Sequence, residues 1–160
     1  GMSFHGGLIG MIASIILFSN RKKISFFDIS NVVACCAPIG LFFGRLANFV
    51  NSELYGKPTN GSWGVIFGKV DQIPRHPSQL YEAFFEGFIL FLLLIIISHK
   101  SNLKDNSCCA FFLIFYGSSR FVIEFFRLPD LHIGYMFNNI TTGQLLCLPM
   151  LLIGFYVYKK

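Results

Sequence analysis

Apolar residues in this chain gather into long runs, and polar residues gather between them. A helix needs roughly 20 mostly apolar residues to cross a bilayer. Five runs approach that length: about Phe4 to Phe18, Asn31 to Phe49, Gln79 to Ser98, Cys108 to Phe126 and Thr142 to Tyr158. The first is short, the second is expected to kink at Pro38, and the fifth contains Pro149. No stretch alternates with period two for long enough to suggest a barrel. Backbone groups in lipid must be satisfied internally, which favours helices. The pattern therefore predicts an all-α fold. It is a polytopic integral membrane helix bundle of about five transmembrane helices plus one long outer loop, forming a single domain over residues 1–160. The loop, at about 52–77, is rich in turn formers such as Gly56, Pro58, Asn60, Gly61 and Pro74. A short strand is expected around Trp63 to Phe67.

Composition agrees. Of the 160 residues, 54% are hydrophobic and 13% charged, against roughly 25% charged in an ordinary soluble domain. That excludes a soluble globular fold and a disordered chain. The net charge of +5 comes without a basic stripe, so no nucleic-acid partner is expected. Arg21, Lys22 and Lys23, then Lys100 and Lys104, then Lys159 and Lys160 follow alternate spans. With five spans they share one side, which the positive-inside rule makes cytoplasmic. The cysteines are Cys35, Cys36, Cys108, Cys109 and Cys147. They show neither a disulfide framework nor metal spacing, and read as small apolar packing residues. No basic segment precedes the first run, so no cleavable signal peptide is expected.

The informative residues are the charges inside spans. An arginine near a helix centre costs about 2.5–3.5 kcal/mol on insertion scales, yet Arg45 and Arg120 both sit within spans. Arg45, Asn48 and Asn51 share one helix face, as do Gln79, Glu82 and Glu86, and Arg120, Glu124 and Arg127. These stripes are expected to face one another. With the orientation above, they and His5 and Gln144 gather at one depth near the outer leaflet. Structural readings stand beside this. Arg120 and Glu124 can form an internal ion pair, Glu82 and Glu86 can act as acceptors, and Gly40 and Gly44 can permit close helix packing. Two guanidinium groups at headgroup depth suit phosphate, which they bind through paired, charge-assisted hydrogen bonds. A phospholipid headgroup is the expected ligand. There is no Gly-rich phosphate loop and no ligand cluster, so neither cofactor nor metal is expected.

At these residues the chain resembles a known family. Ser3-Phe4-His5-Gly6-Gly7-Leu8, Gly44-Arg45-Leu46-Ala47-Asn48 with Glu53-Leu54-Tyr55-Gly56, and Arg75-His76-Pro77-Ser78-Gln79-Leu80-Tyr81-Glu82 match three blocks in order. Arg120 to Arg127 and Gly143-Gln144-Leu145 match two more. Together they resemble prolipoprotein diacylglyceryl transferases. The resemblance implies a multi-pass enzyme of the bacterial inner membrane with its active site toward the outer leaflet. Such an enzyme moves the diacylglyceryl group of phosphatidylglycerol onto the lipobox cysteine of a prolipoprotein, forming a thioether and releasing glycerol phosphate. It implies catalytic roles for His5, Arg45 and Arg120. It places Arg45, Asn48, Glu53, Gly56, His76, Gln79, Tyr81, Glu82, Glu124, Arg127 and Gln144 around the substrates. His5, with an ordinary pKa of about 6.5, is the expected general base for a thiol of pKa about 8.5. The arginines are expected to stabilise charge on the departing phosphate. Family chains carry further spans ahead of the His-Gly-Gly segment, so the chain is expected to be a fragment, a split gene product or a truncated reading frame. Two alternatives remain, a non-catalytic remnant and a small-anion membrane transporter. The almost wholly apolar inner halves, such as Phe88 to Ile97, disfavour the transporter.

Overall fold

A computed structural model describes residues 4–100, 106–128, 135, 136 and 140–159. It is mainly helical. Helix α1 (Phe4–Lys22) ends on Arg21 and Lys22, cations suited to a helix C-terminus. Helix α2 (Phe26–Asn51) begins five residues before the expected span. Its cap explains the difference: the Ser25 hydroxyl accepts a hydrogen bond from the Phe27 N–H at 3.2 Å, and Asp28 lies in the first turn. At its other end Ser52 adopts the left-handed region (φ 62°), and its N–H donates to the Phe49 carbonyl.

The loop between α2 and the next helix carries a small antiparallel hairpin, β1 (Val65–Ile66) with β2 (Pro74–Arg75). The strand expected near Trp63 to Phe67 is thus present, with a partner. A second hairpin pairs β3 (Tyr135–Met136) with β4 (Ile140–Thr141). Helix α5 (Ser107–Ile123) stops three residues before the expected end at Phe126. There the chain turns so that the Phe126 carbonyl accepts from the Lys57 N–H at 2.9 Å, and Arg127 bridges Gly56. Loop docking takes over from helix propagation.

Helix α6 (Thr142–Lys159) opens on a capping box. The Gln144 N–H donates to the Thr141 hydroxyl at 3.2 Å, and the Thr141 N–H donates to the Gln144 side-chain oxygen at 3.1 Å. Three helical stretches are long and apolar enough to cross a membrane: Phe26–Asn51, Ser78–Ser98 and Thr142–Lys159. Five crossings were expected. Helix α5 is apolar but shorter, and α1 is not among the three.

The stretch Ser78–Ser98 is one continuous helix in three parts, α3 (Ser78–Glu82), a π-helical segment (Ala83–Ile89) and α4 (Leu90–Ser98). Its fully buried side chains include Glu82, Glu86, Leu90 and Leu94, spaced by four. In an unbroken α-helix each step of four drifts by about 40° at 3.6 residues per turn. The wider π turn takes that drift back, so all four side chains stay on one line. Glutamates occupy its N-terminal half, and leucines its C-terminal half, where Leu90 and Leu94 pack with Cys108.

Gly87 sits on the same segment against α2. A Cβ there would lie 2.7 Å from the Phe42 Cβ and 2.8 Å from its Cα. Gly40 and Gly44 have nothing within 4 Å. The expectation that those two glycines permit close packing is therefore corrected: Gly87, not its partners on α2, lets the helices approach. Gly87→Ala is expected to cost about 1–3 kcal/mol through overpacking. Gly40→Ala and Gly44→Ala should be neutral or stabilising by up to about 1 kcal/mol, since alanine favours a helix. Thermal unfolding of the three variants in one detergent checks this, and equal shifts at all three sites would contradict the contact pattern. All five cysteines are free thiols, with Cys108 and Cys147 buried.

Candidate functional site: a buried arginine and glutamate cluster

Four chain segments converge at one end of the helix bundle. Glu82 stands at the centre and is fully buried. Arg45 Nε of α2 lies 3.0 Å from one Glu82 oxygen, close enough for an ion pair but not aligned as a hydrogen bond. Arg120 Nη1 of α5 donates to the other oxygen, which Arg127 Nη1 also reaches at 3.4 Å. Arg120 Nη2 turns to Glu124 at 3.1 Å, one turn along its own helix. The Glu124 carboxylate accepts from the Thr141 hydroxyl at 3.1 Å, which ties the cluster to the capping box of α6. A Cβ on Gly143 would lie 2.7 Å from Glu124 Oε1, so this carboxylate needs glycine beside it.

Charge balance explains why such a cluster can be buried. Each isolated ion taken out of water costs several kcal/mol, recovered only through close partners. Three guanidinium groups (Arg45, Arg120, Arg127) face three carboxylates (Glu82, Glu86, Glu124). The two signs are not equally accessible. The Arg45 and Arg120 side chains keep 16% and 14% of their surface, whereas Glu82 and Glu86 keep none. The carboxylates hold the arginines from behind, and the reachable face of the cluster is cationic.

The remaining expected residues form two neighbouring groups. Asn48 Nδ2 donates to the Glu53 carboxylate at 3.1 Å, and Gln79 Nε2 donates to the Glu53 carbonyl at 2.6 Å. These contacts pin the start of the outer loop between α2 and α3. His76 Nδ1 lies 3.3 Å from the Tyr81 hydroxyl, and both rings meet Phe126 edge to face. Gly56 is wedged under them: a Cβ would fall 2.5 Å from the His76 carbonyl oxygen and 2.7 Å from that of Phe126. Gln144 is drawn into the cap of α6, where its amide oxygen is engaged. His5 belongs to the first turn of α1, but its side chain lies outside the described residues.

Sequence reasoning left Glu86 out of the site. It was visible only as the third member of the Gln79 and Glu82 stripe, where acceptor duty explained it equally well. Thr141 and Gly143 were also missed, although the Thr141-x-x-Gln144 spacing is a capping signal.

The loop hairpin has its own electrostatics. Arg75 donates to both Asp71 oxygens, at 2.6 and 3.3 Å, and lies over the Tyr55 ring at 5.1 Å from its centre. The Arg75 hydrogen bonds hold the Asp71 carboxyl below the usual carboxylate range, helped by the Ile73 N–H. A depressed carboxylate supports the fold fully above its ordinary value of about 3.9 and loses that support as pH falls through the folded value. Trp63, the single tryptophan, lies in this loop. Its emission is expected to stay constant from pH 7 to 5 and to change below pH 4, and Asp71→Asn should show the acid spectrum at pH 7. An acid transition that survives Asp71→Asn would assign it to another group.

Comparison with known proteins follows the same residues. The sequence profile described as Prolipoprotein diacylglyceryl transferase matches residues 1–159. A phosphatidylglycerol--prolipoprotein diacylglyceryl transferase of Rickettsia felis is 51% identical over 159 residues, covering 98% of this chain and 61% of the relative. Its namesakes from Rickettsia bellii and Rickettsia akari are 51% and 49% identical, covering 100% and 98% of this chain and 62% and 61% of their own lengths. The chain thus spans about three fifths of the curated relatives it matches. With nearly every residue matched by the family profile, the chain belongs to the prolipoprotein diacylglyceryl transferase family.

Proposed function

We propose that this chain carries the headgroup site of a diacylglyceryl transferase in the bacterial inner membrane, open toward the outer leaflet. One observation supports this reading most: Arg45 and Arg120, from two different helices, are held by fully buried glutamates and themselves keep 16% and 14% of their side-chain surface accessible. Guanidinium forks match phosphate geometry and stay charged at any physiological pH. Phosphatidylglycerol would dock its phosphate against them. Asn48 and Glu53, joined by their hydrogen bond, would face the glycerol hydroxyls.

The reaction is a substitution at the glyceryl carbon. The lipobox thiolate forms the carbon–sulfur bond, the carbon–oxygen bond to phosphate breaks, and glycerol phosphate departs with the electron pair. The thiol proton passes to a base, a role given to His5 on residue type. Charge gathers on the leaving phosphate in the transition state, where preorganised donors such as Arg45 and Arg120 contribute most. Glu124 keeps Arg120 in place from one helical turn away.

The test is direct. The chain, alone and joined to the part of a relative that it does not span, is placed in phosphatidylglycerol vesicles with a lipobox peptide. Formation of a thioether with release of one glycerol phosphate per product is expected from the joined chain. If that chain forms no thioether, the reading fails.

A further inference from the structure

Glu86 is buried as deeply as Glu82 but is held far less closely. Neither of its oxygens takes part in a hydrogen bond among the described residues. Its nearest cations are Arg45 Nη2 at 3.8 Å and Arg120 Nη1 at 3.9 Å. Glu82, by contrast, accepts from Arg120 and Arg127, and Glu124 accepts from Thr141. The groups facing Glu86 come from each packed element. They are Arg45 from α2, Glu82 from its own helix, Arg120 and Tyr116 from α5, Arg127 just beyond α5, and Cys147 from α6.

Among the described residues the cluster balances three positive charges with three negative ones. An entering phosphodiester adds a fourth negative charge where those residues hold no surplus cation. Neutrality returns if one carboxylate becomes protonated. Glu82 would give up hydrogen bonds from two arginines, and Glu124 its hydrogen bond from Thr141 and its ion pair with Arg120. Glu86 gives up none. A protonated Glu86 would also present an O–H donor, and it would leave Arg45 and Arg120 to the incoming phosphate.

We propose that Glu86 takes up one proton as an anionic phosphate headgroup enters against Arg45 and Arg120, which keeps the buried charges balanced. The proton comes from water, one per headgroup, and the only bond formed is the O–H of Glu86. The idea rests on the headgroup reading above and adds a residue and a proton to it.

Calorimetric titration with dihexanoyl phosphatidylglycerol, in two buffers of different ionisation heat, counts protons taken up on binding. Dihexanoylglycerol, which lacks the phosphate, is the control. For the chain in detergent, close to one proton per phosphatidylglycerol is expected at alkaline pH, where Glu86 starts fully ionised. Affinity should then fall about tenfold per pH unit as pH rises. Glu86→Gln, which imitates the protonated carboxyl, should bind with no uptake and no pH dependence. Glu86→Asp and Glu124→Asp, which keep the charge count, should retain the uptake. Phosphatidylglycerol binding without proton uptake in the unaltered chain overturns the proposal, as does uptake that persists in Glu86→Gln or vanishes in Glu124→Asp. Failure of the unaltered chain to bind phosphatidylglycerol is a different result, which overturns the headgroup reading itself.

Discussion

In the chain joined to the part of a relative that it does not span, Arg120→Ala is expected to lower the proposed diacylglyceryl transfer by at least about 10²- to 10³-fold, the usual scale for loss of one preorganised donor at a developing anion. The protein should still insert into the membrane, because the apolar faces of α2, α4 and α6 are unchanged. Arg120 contacts Glu82 and Glu124 at once, and it also lies on the accessible side of the cluster. The alanine variant therefore loses the link between two carboxylates and, on the proposed reading, a phosphate contact. Arg120→Lys should recover part of the rate. It keeps the charge but not the planar fork that serves two partners together. Lipidation of a lipobox substrate, measured beside the amount of protein in the membrane fraction, separates lost catalysis from lost insertion. Near-normal lipidation by the alanine variant would remove Arg120 from the phosphate site.

The largest effect on stability is expected at Glu82. It is buried, and it meets Arg45, Arg120 and Arg127. Glu82→Gln leaves three guanidinium groups sharing Glu86 and Glu124. Breaking a buried ion pair in this way typically costs about 3–5 kcal/mol. Glu124→Gln should cost less, because among the described residues Glu124 forms its ion pair with Arg120 and retains its place beside Thr141. Thermal unfolding of the two variants gives the order. A Glu124 variant less stable than the Glu82 variant would move the centre of the cluster to α6.

The sequence made the helices legible because lipid leaves the backbone few options, and the apolar runs are long. It also showed the three polar stripes, since residues spaced by three and four share a helix face. Arg45, Glu82, Arg120, Glu124 and Arg127 do converge. Two things were hidden. Whether Arg120 would pair with Glu124 or with Glu82 depends on how α3 and α5 pack, and Arg120 in fact pairs with both. Helix ends were hidden as well: α5 yields to a loop bond between Lys57 and Phe126, which lie far apart in sequence. Gln144 shows the reverse case. Its role in capping α6 was written locally as Thr-x-x-Gln, but the family resemblance drew attention to substrate instead.

The π-helical segment has a consequence for which changes this gene can accumulate. Phe84, Phe85 and Phe88 lie on its exposed side, where other apolar residues would meet the same surroundings. Its length follows a related rule. Deleting Phe88 or Ile89 would restore α-helical winding and leave Leu90 and Leu94 seven and eleven positions beyond Glu82, within about 20° of its line. A second deletion, now in plain α-helix, would turn everything beyond it by about 100°. The segment therefore acts as one spare residue: the gene can lose a single codon here and keep its leucines in line, but not two.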